Sequence, residues 1–374
     1  MWKHPPALVH PNNESFTLPQ GTGPFRTTLN VSELIDSSRQ DPFNTSHVRR
    51  LMISSFTPIP SSQCKELSKV PYMPPTVAAV EDEILSAYGY PKDIWGKFDL
   101  EVCSSTTYSR QDKFPITLFS PGLNTTRHFY SSLAQQIASF GFRVITIDHP
   151  YDVDVVEFPN GDVIYGGRVV PPRQKNDSTV SVEHALEVRA KDVSFVLDTL
   201  GITTRDKAIM IGQSFGGAAT STAMLYDNRI RGGINLDGKM FGPVLNTSLG
   251  TPGHPQAFLL WGSDGHNSSS DASWVQFWNI LEGSKEVDYK KELSVVNSSH
   301  GSYWDLNLLV DVVGLRDGLD ETALSLVGQV SGKRIWEILG RYLSAFFWFM
   351  LGEKEEDGVF KGPTGEFLDV KILH

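Results

Sequence analysis

Long apolar runs are missing from this chain of 374 residues: the longest, Phe346–Leu351, is six residues inside a helical pattern, against the roughly 20 that a membrane-spanning helix needs. Positive charge is in deficit too. Lys and Arg number 33 against 43 Asp and Glu, a formal net charge of −10, which argues against nucleic acid or an anionic membrane surface as the main partner. Cysteine is scarce, with only Cys64 and Cys103, and no CxxC pair, HExxH, other metal-spaced histidine cluster or GxxxxGK[ST] phosphate loop occurs. No metal or organic cofactor is therefore implied. There is no internal repeat, and Met1-Trp2-Lys3-His4-Pro5-Pro6 lacks the apolar core of a signal peptide.

What is present is an ordinary globular composition, 40% apolar, enough for a large core. Eight asparagines open an N-x-S/T sequon with no intervening proline: Asn13, Asn30, Asn44, Asn124, Asn176, Asn246, Asn267 and Asn297. That number reads as passage through a secretory pathway, hence a secreted, extracellular glycoprotein whose leader has been removed; a Ser/Thr-rich cytosolic chain is the other reading. Cys64 and Cys103 bracket one segment and could close it as a single disulfide, the alternative being two buried free thiols.

Residues 1–24 are rich in Pro, Asn and Gly and read as an extended or poorly ordered arm. From residue 25 the chain alternates strands with amphipathic helices. Phe25–Ile35 and Val48–Phe56 read as antiparallel edge strands, and Phe114–Phe119, Arg143–Ile147, Ala208–Ile211, Gly233–Leu236, Gln256–Trp261 and Leu293–Val296 as short buried ones. Helical spacing covers Phe129–Phe140, Val182–Leu200, Ala218–Leu225, Tyr303–Val313 and Gly332–Leu351. This order predicts an α/β fold, a mostly parallel central sheet with helices on both faces. It forms one domain over 25–352, with insertions at 57–105 and 262–291, an irregular loop at 152–181 and a tail at 353–374. In such sheets chemistry gathers at the carboxyl ends of the strands, where Ser120, Asp148, Ser214, Asp237, Asp264 and His300 all fall.

The segment Ala208–Gly217 carries G-x-S-x-G between an apolar strand and a helix, the pattern of a strained turn that pushes a serine hydroxyl into the open. A Gly-Ser connection without chemistry is the bland reading of the same letters. Serine is a weak nucleophile, so it needs a base, and the base needs a carboxylate to hold its tautomer. Of the ten histidines, His300 follows the last strand among small neighbours. His254 precedes a strand, His266 lies in a polar insertion and His374 is the terminus. Two aspartates end late strands. Asp237 sits in a tight corner before Gly238, whereas Asp264 opens into a polar loop, so Asp237 is favoured as the acid and Asp264 is kept as the alternative.

The set FSPGL (119–123), GQSFGG (212–217), INLDGKMFG (234–242) and the histidine after the last strand resembles the plasma-type platelet-activating-factor acetylhydrolase family, particularly its secreted fungal members. The R-x-DPF element at Arg39–Phe43 and RRLMISSFTP at Arg49–Pro58 resemble the same branch. The resemblance covers roughly residues 20 to 350 and implies an α/β-hydrolase fold and a calcium-independent serine esterase that removes short or oxidised acyl chains from phospholipids. It implies Ser214 as nucleophile, Asp237 as acid, His300 as base, and the N–H groups of Leu123 and Phe215 as the oxyanion hole. A lipid ester and transient contact with a lipid surface are the implied partners. Two departures border the substrate pocket: Pro121 stands where family members often have His, and Lys239 where the animal enzymes have an aromatic. A cutinase-like polyester hydrolase, a lactonase and a non-catalytic binding protein of the same fold remain as alternatives. Asn124 directly follows Leu123, so a glycan there would crowd the site, and Asn124 is expected to be unmodified.

Overall fold

The computed structural model describes residues 15–106, 114–174, 176–362 and 365–374. Strand β1 (Phe16–Thr17) is followed by the long antiparallel pair β2 (Phe25–Gln40) and β3 (Val48–Pro60), each running past its expected end. Then β4 (Cys64–Pro71), helix α1 (Pro75–Ser86) and β5 (Phe98–Thr106) make up most of the expected insertion. Proline can open α1 because the first N–H of a helix has no partner to lose. Cys64 and Cys103 are joined as a disulfide, their Cα atoms 5.7 Å apart, tying β4 to β5.

The rest of the chain supplies β6 (Ile116–Ser120), α2 (Ser131–Ser139), β7 (Arg143–Asp148), β8 (Val155–Glu157), β9 (Val163–Tyr165), α3 (Val180–Thr199), β10 (Ala208–Gln213), α4 (Phe215–Tyr226) and β11 (Ile230–Leu236). After them come β12 (Gln256–Gly262), α5 (Ala272–Glu282), β13 (Val287–Val295), α6 (Leu306–Val312), α7 (Glu321–Val327), α8 (Gly332–Met350) and β14 (Val370–Ile372). Among the described residues, nine strands form the central sheet in the order β14-β13-β12-β11-β10-β6-β7-β3-β2. It is parallel from β13 to β7 and antiparallel at both margins.

Alternation along β10 shows how the layers are held. Ile209 and Ile211 face the apolar cluster under α2 and α8, while Ala208 and Met210 face the one under α3, α4 and α5. Successive strand side chains point to opposite faces, so a strand covered on both sides is apolar throughout, and every residue of β10 and β12 is buried.

Four expectations are corrected. Residues 353–374 are not an appended tail: β14 pairs antiparallel with β13, and Val359, Phe360, Phe367 and Val370 are buried. The domain therefore runs to the last residue; a three-residue strand is too short to show a period. Residues 262–291 are an ordinary crossover from β12 through α5 into β13, which begins at Val287 rather than Leu293 because its charged first half lies beside the sheet margin. Within 152–181, β8 and β9 form a hairpin. Part of the expected N-terminal arm is built in: Phe16 and Thr17 pair with Phe98 and Asp99, and the Thr22 N–H donates to Gln136 Oε1 at 2.8 Å.

Candidate active site

Ser214 joins β10 to α4 with φ 55° and ψ −124°, a conformation that L residues rarely adopt. The flanking glycines make the turn sterically feasible. A Cβ on Gly212 would run into the Gly216 carbonyl, one on Gly216 into the Ser120 carbonyl, and one on Gly238 into the Ser214 carbonyl. The turn is held by the Ser214 N–H, which donates to the Leu236 carbonyl at 2.8 Å.

His300 begins the short turn after β13, where the N–H of Ser299 donates to Ser302 Oγ at 2.8 Å and fixes the backbone. His300 Nε2 lies 2.9 Å from Ser214 Oγ, and its Nδ1 lies 2.7 Å from Asp237 Oδ2. Gln213, the residue before the serine, donates from Nε2 to the His300 carbonyl at 3.2 Å and accepts from the Tyr130 hydroxyl at 2.9 Å. Asp237 is 4% exposed. Its burial favours the neutral acid, but hydrogen bonds from His266 and His300 outweigh that and hold the carboxyl well below the usual carboxylate range.

Asp264 lies apart from this chain. Its Oδ2 accepts from the Asn297 N–H at 2.8 Å and its Oδ1 is 3.7 Å from Lys371 Nζ. His254 forms a backbone bridge with Thr251, and His374 sits 3.6 Å from Glu292. His266 is the surprise. Its Nδ1 donates to Asp237 Oδ1 at 2.8 Å, its Nε2 is 3.7 Å from Asp271, and its ring packs on Trp274. A loop position gave no sequence signal of that contact.

The loop of Leu123 is clamped by a residue outside the sequence motifs. Arg189 of α3 donates to the carbonyls of Pro121 at 2.5 Å and Gly122 at 3.2 Å, pairs with Asp152 at 2.6 Å, and lies over the Phe215 ring at 4.7 Å. One buried guanidinium thus positions both segments that carry the Leu123 and Phe215 N–H groups. Phe215 opens α4, so its N–H is among those a helix leaves unpaired. A signal for Arg189 did exist: it falls on the stripe Val182, Leu186, Val193, Val196, where an arginine must be paired.

Ser120 and Asp148, also singled out at strand ends, are sealed in. Ser120 Oγ is 3.1 Å from His149 Nε2, whose Nδ1 is 2.9 Å from Asp192, a second Ser/His/Asp series with each member 0% exposed. Arg49 pairs with Asp192 and Arg189 donates to Ser120 Oγ, and without access the series can only brace the sheet edge. Asp148 pairs with Arg127.

Ser214 and His300 open into a cleft of about 400 Å³ that Leu123, Asn124 and Trp304 also line. Pro121 is buried and Lys239 is exposed. Among the sequon asparagines, Asn30, Asn124, Asn176, Asn246 and Asn297 are exposed and Asn44 and Asn267 half-buried; Asn13 lies outside the described residues.

Three comparisons bear on this geometry. The family model for platelet-activating factor acetylhydrolase, isoform II, matches residues 84–155 and 185–318. The chain is 39% identical over 371 residues to a probable 1-alkyl-2-acetylglycerophosphocholine esterase of Arthroderma benhamiae, covering 96% of this chain and 94% of that one. It is 25% identical over 283 residues to a platelet-activating factor acetylhydrolase of Cavia porcellus, covering 66% of this chain and 63% of the relative. The structure of a ferulic acid esterase from Streptomyces cinnamoneus superposes with a TM-score of 0.74 at 24% identity, over 96% of this chain and 100% of that one, so the fold is an α/β-hydrolase fold.

Proposed function

The chain belongs to the platelet-activating factor acetylhydrolase, isoform II, family and is a carboxylic ester hydrolase, and we propose that it works by a serine acyl-enzyme mechanism on short-chain esters. The observation that carries this reading is the unbroken series Ser214 Oγ, His300, Asp237, linked at 2.9 and 2.7 Å. His300 Nε2 takes the hydroxyl proton as Ser214 Oγ attacks the ester carbonyl, and Asp237 stabilises the imidazolium that results. The Leu123 and Phe215 N–H groups receive the charge on the carbonyl oxygen; losing one such donor costs on the order of a hundredfold or more in rate. His300 returns the proton to the leaving alcohol. Water then enters, gives its proton to His300 and releases the acid.

The relatives' names point to an acetylated glycerophosphocholine as substrate, and we extend that class to this chain. We also propose export from the cell. The disulfide and the exposed sequon asparagines support it. The test of substrate class is a panel of esters graded from acetate to long acyl chains, including an acetylated phospholipid. Turnover that falls steeply with acyl length supports the reading, and a preference for insoluble polyester or for lactones overturns it.

A further inference from the structure

Glu81, Ile84, Leu85 and Tyr88 recur at helical spacing along α1 and just past its end, and all four line the cleft that holds Ser214 and His300. Asp154, ahead of β8, lines the same cleft. Glu81 is 1% exposed, and its Oε1 has no hydrogen-bond partner among the described residues. Burial, then the charges of Asp154 and Asp148, push the Glu81 carboxyl well above the usual range; burial, then Asp148 and Asp152, push that of Asp154 up to about 8.

The neighbouring buried carboxylates are each neutralised from within the protein: Asp148 by Arg127, Asp152 by Arg189, Asp192 by Arg49. Glu81 and Asp154 alone of this group have no ion pair among the described residues. A buried carboxyl without a partner is costly, and here Glu81 is one, facing a ligand cleft that the half-buried Asp154 also lines. Each is held towards its neutral acid, and a cation arriving with the substrate would favour the ionised carboxylate and pair with it. Among the described residues no set of three His, Cys, Asp or Glu could hold a metal ion. The same cleft offers the rings of Tyr88 and Trp304 and the apolar side chains of Ile84 and Leu85. Carboxylates beside aromatic and apolar walls suit a weakly hydrated quaternary ammonium, which needs a counter-charge and ring faces rather than hydrogen-bond acceptors.

We propose that Glu81 and Asp154, with Tyr88 and Trp304, form a cation subsite beside Ser214 that takes the quaternary ammonium of a choline headgroup. This rests on the reading of Ser214 as the nucleophile of an esterase, and it assigns the side of the cleft under α1 to the headgroup.

The test uses one acetyl ester carrying a phosphocholine, a phosphoethanolamine or no headgroup, each kept below its micellar concentration. Wild-type protein is expected to favour the choline ester. Joint replacement Glu81→Gln and Asp154→Asn, which conserves side-chain volume, should reduce that preference about tenfold through KM, with kcat on the choline ester within about twofold. Tetramethylammonium should compete with the choline ester at millimolar concentration. An unchanged preference, an equal loss on all three esters, or a wild-type protein that treats choline and ethanolamine alike would overturn the proposal. If the double variant does not fold, tetramethylammonium competition with wild-type protein decides. If no ester is hydrolysed at all, the esterase reading has failed, and calorimetric titration of wild-type protein with tetramethylammonium still tests the subsite: no binding overturns it.

Discussion

His266 donates its Nδ1 proton to Oδ1 of Asp237 at 2.8 Å, on the carboxylate oxygen opposite the one that faces His300. The Ser263 N–H donates to that same Oδ1 at 2.5 Å. With Oδ1 occupied twice, the carboxylate cannot rotate freely, and Oδ2 stays directed at the His300 ring. Oriented partners of this kind fix both the tautomer and the angle of a working imidazole.

The contact makes folding stability pH-dependent through His266. Burial alone would lower the pKa of this imidazole, but its hydrogen bond to Asp237 and its pairing with Asp271 raise it from 6.5 to about 9. A folded-state value above the unfolded one means that the stabilisation is fully present below about pH 6.5 and is lost as pH rises through about 9. Wild-type protein should therefore melt well above a His266→Asn variant at pH 6, and the gap should shrink steadily towards pH 9.5. Thermal melts of both proteins across that range check it; a gap independent of pH would show that His266 is not charged in the folded state.

Two aspartates compete for the role of acid, and turnover separates them. Asp237→Asn should lower kcat by roughly four orders of magnitude, as when a triad carboxylate no longer fixes the histidine tautomer. Asp264, engaged with Asn297 and Lys371, should tolerate Asn within about tenfold. Steady-state kinetics on a short-chain nitrophenyl ester give both values, and the reverse pattern would reassign the acid.

Much of this site is legible in the chain because its letters encode backbone constraints. The G-x-S-x-G spacing reports a turn into which a Cβ at Gly212 or Gly216 would not fit. Asp237 could be preferred over Asp264 because Gly238 signals a tight corner, here one where backbone passes against the Ser214 carbonyl. What escaped depends on contacts between distant segments. His266 reaches Asp237 across the ends of β11 and β12, and Glu81 meets the cleft only because α1 folds over it. The hairpin β8-β9 and the strand β14 are three-residue strands, below the length at which alternation can be read. Arg189 is the instructive case, since an arginine on an apolar helical stripe was visible and its meaning was not.

Glycan occupancy tests the placement of the oxyanion loop. Asn124 is exposed, has φ 50° and lines the cleft, its N–H donating to the Asp152 carbonyl at 3.1 Å. It should be unmodified in protein from a glycosylating host, while several of the other sequons carry sugar. Intact glycopeptide mapping reads this site by site; full occupancy at Asn124 would contradict the assignment of Leu123.

Labelling with a fluorophosphonate probe, read by intact mass and peptide mapping, tests the central claim most directly, because the probe reports an activated serine independently of any guess about substrate. Wild-type protein should gain one adduct, on the peptide containing Ser214. Ser214→Ala should gain none, and His300→Ala should label at least about a hundredfold more slowly. Equal labelling of wild type and Ser214→Ala, or an adduct on a different serine, would contradict the account.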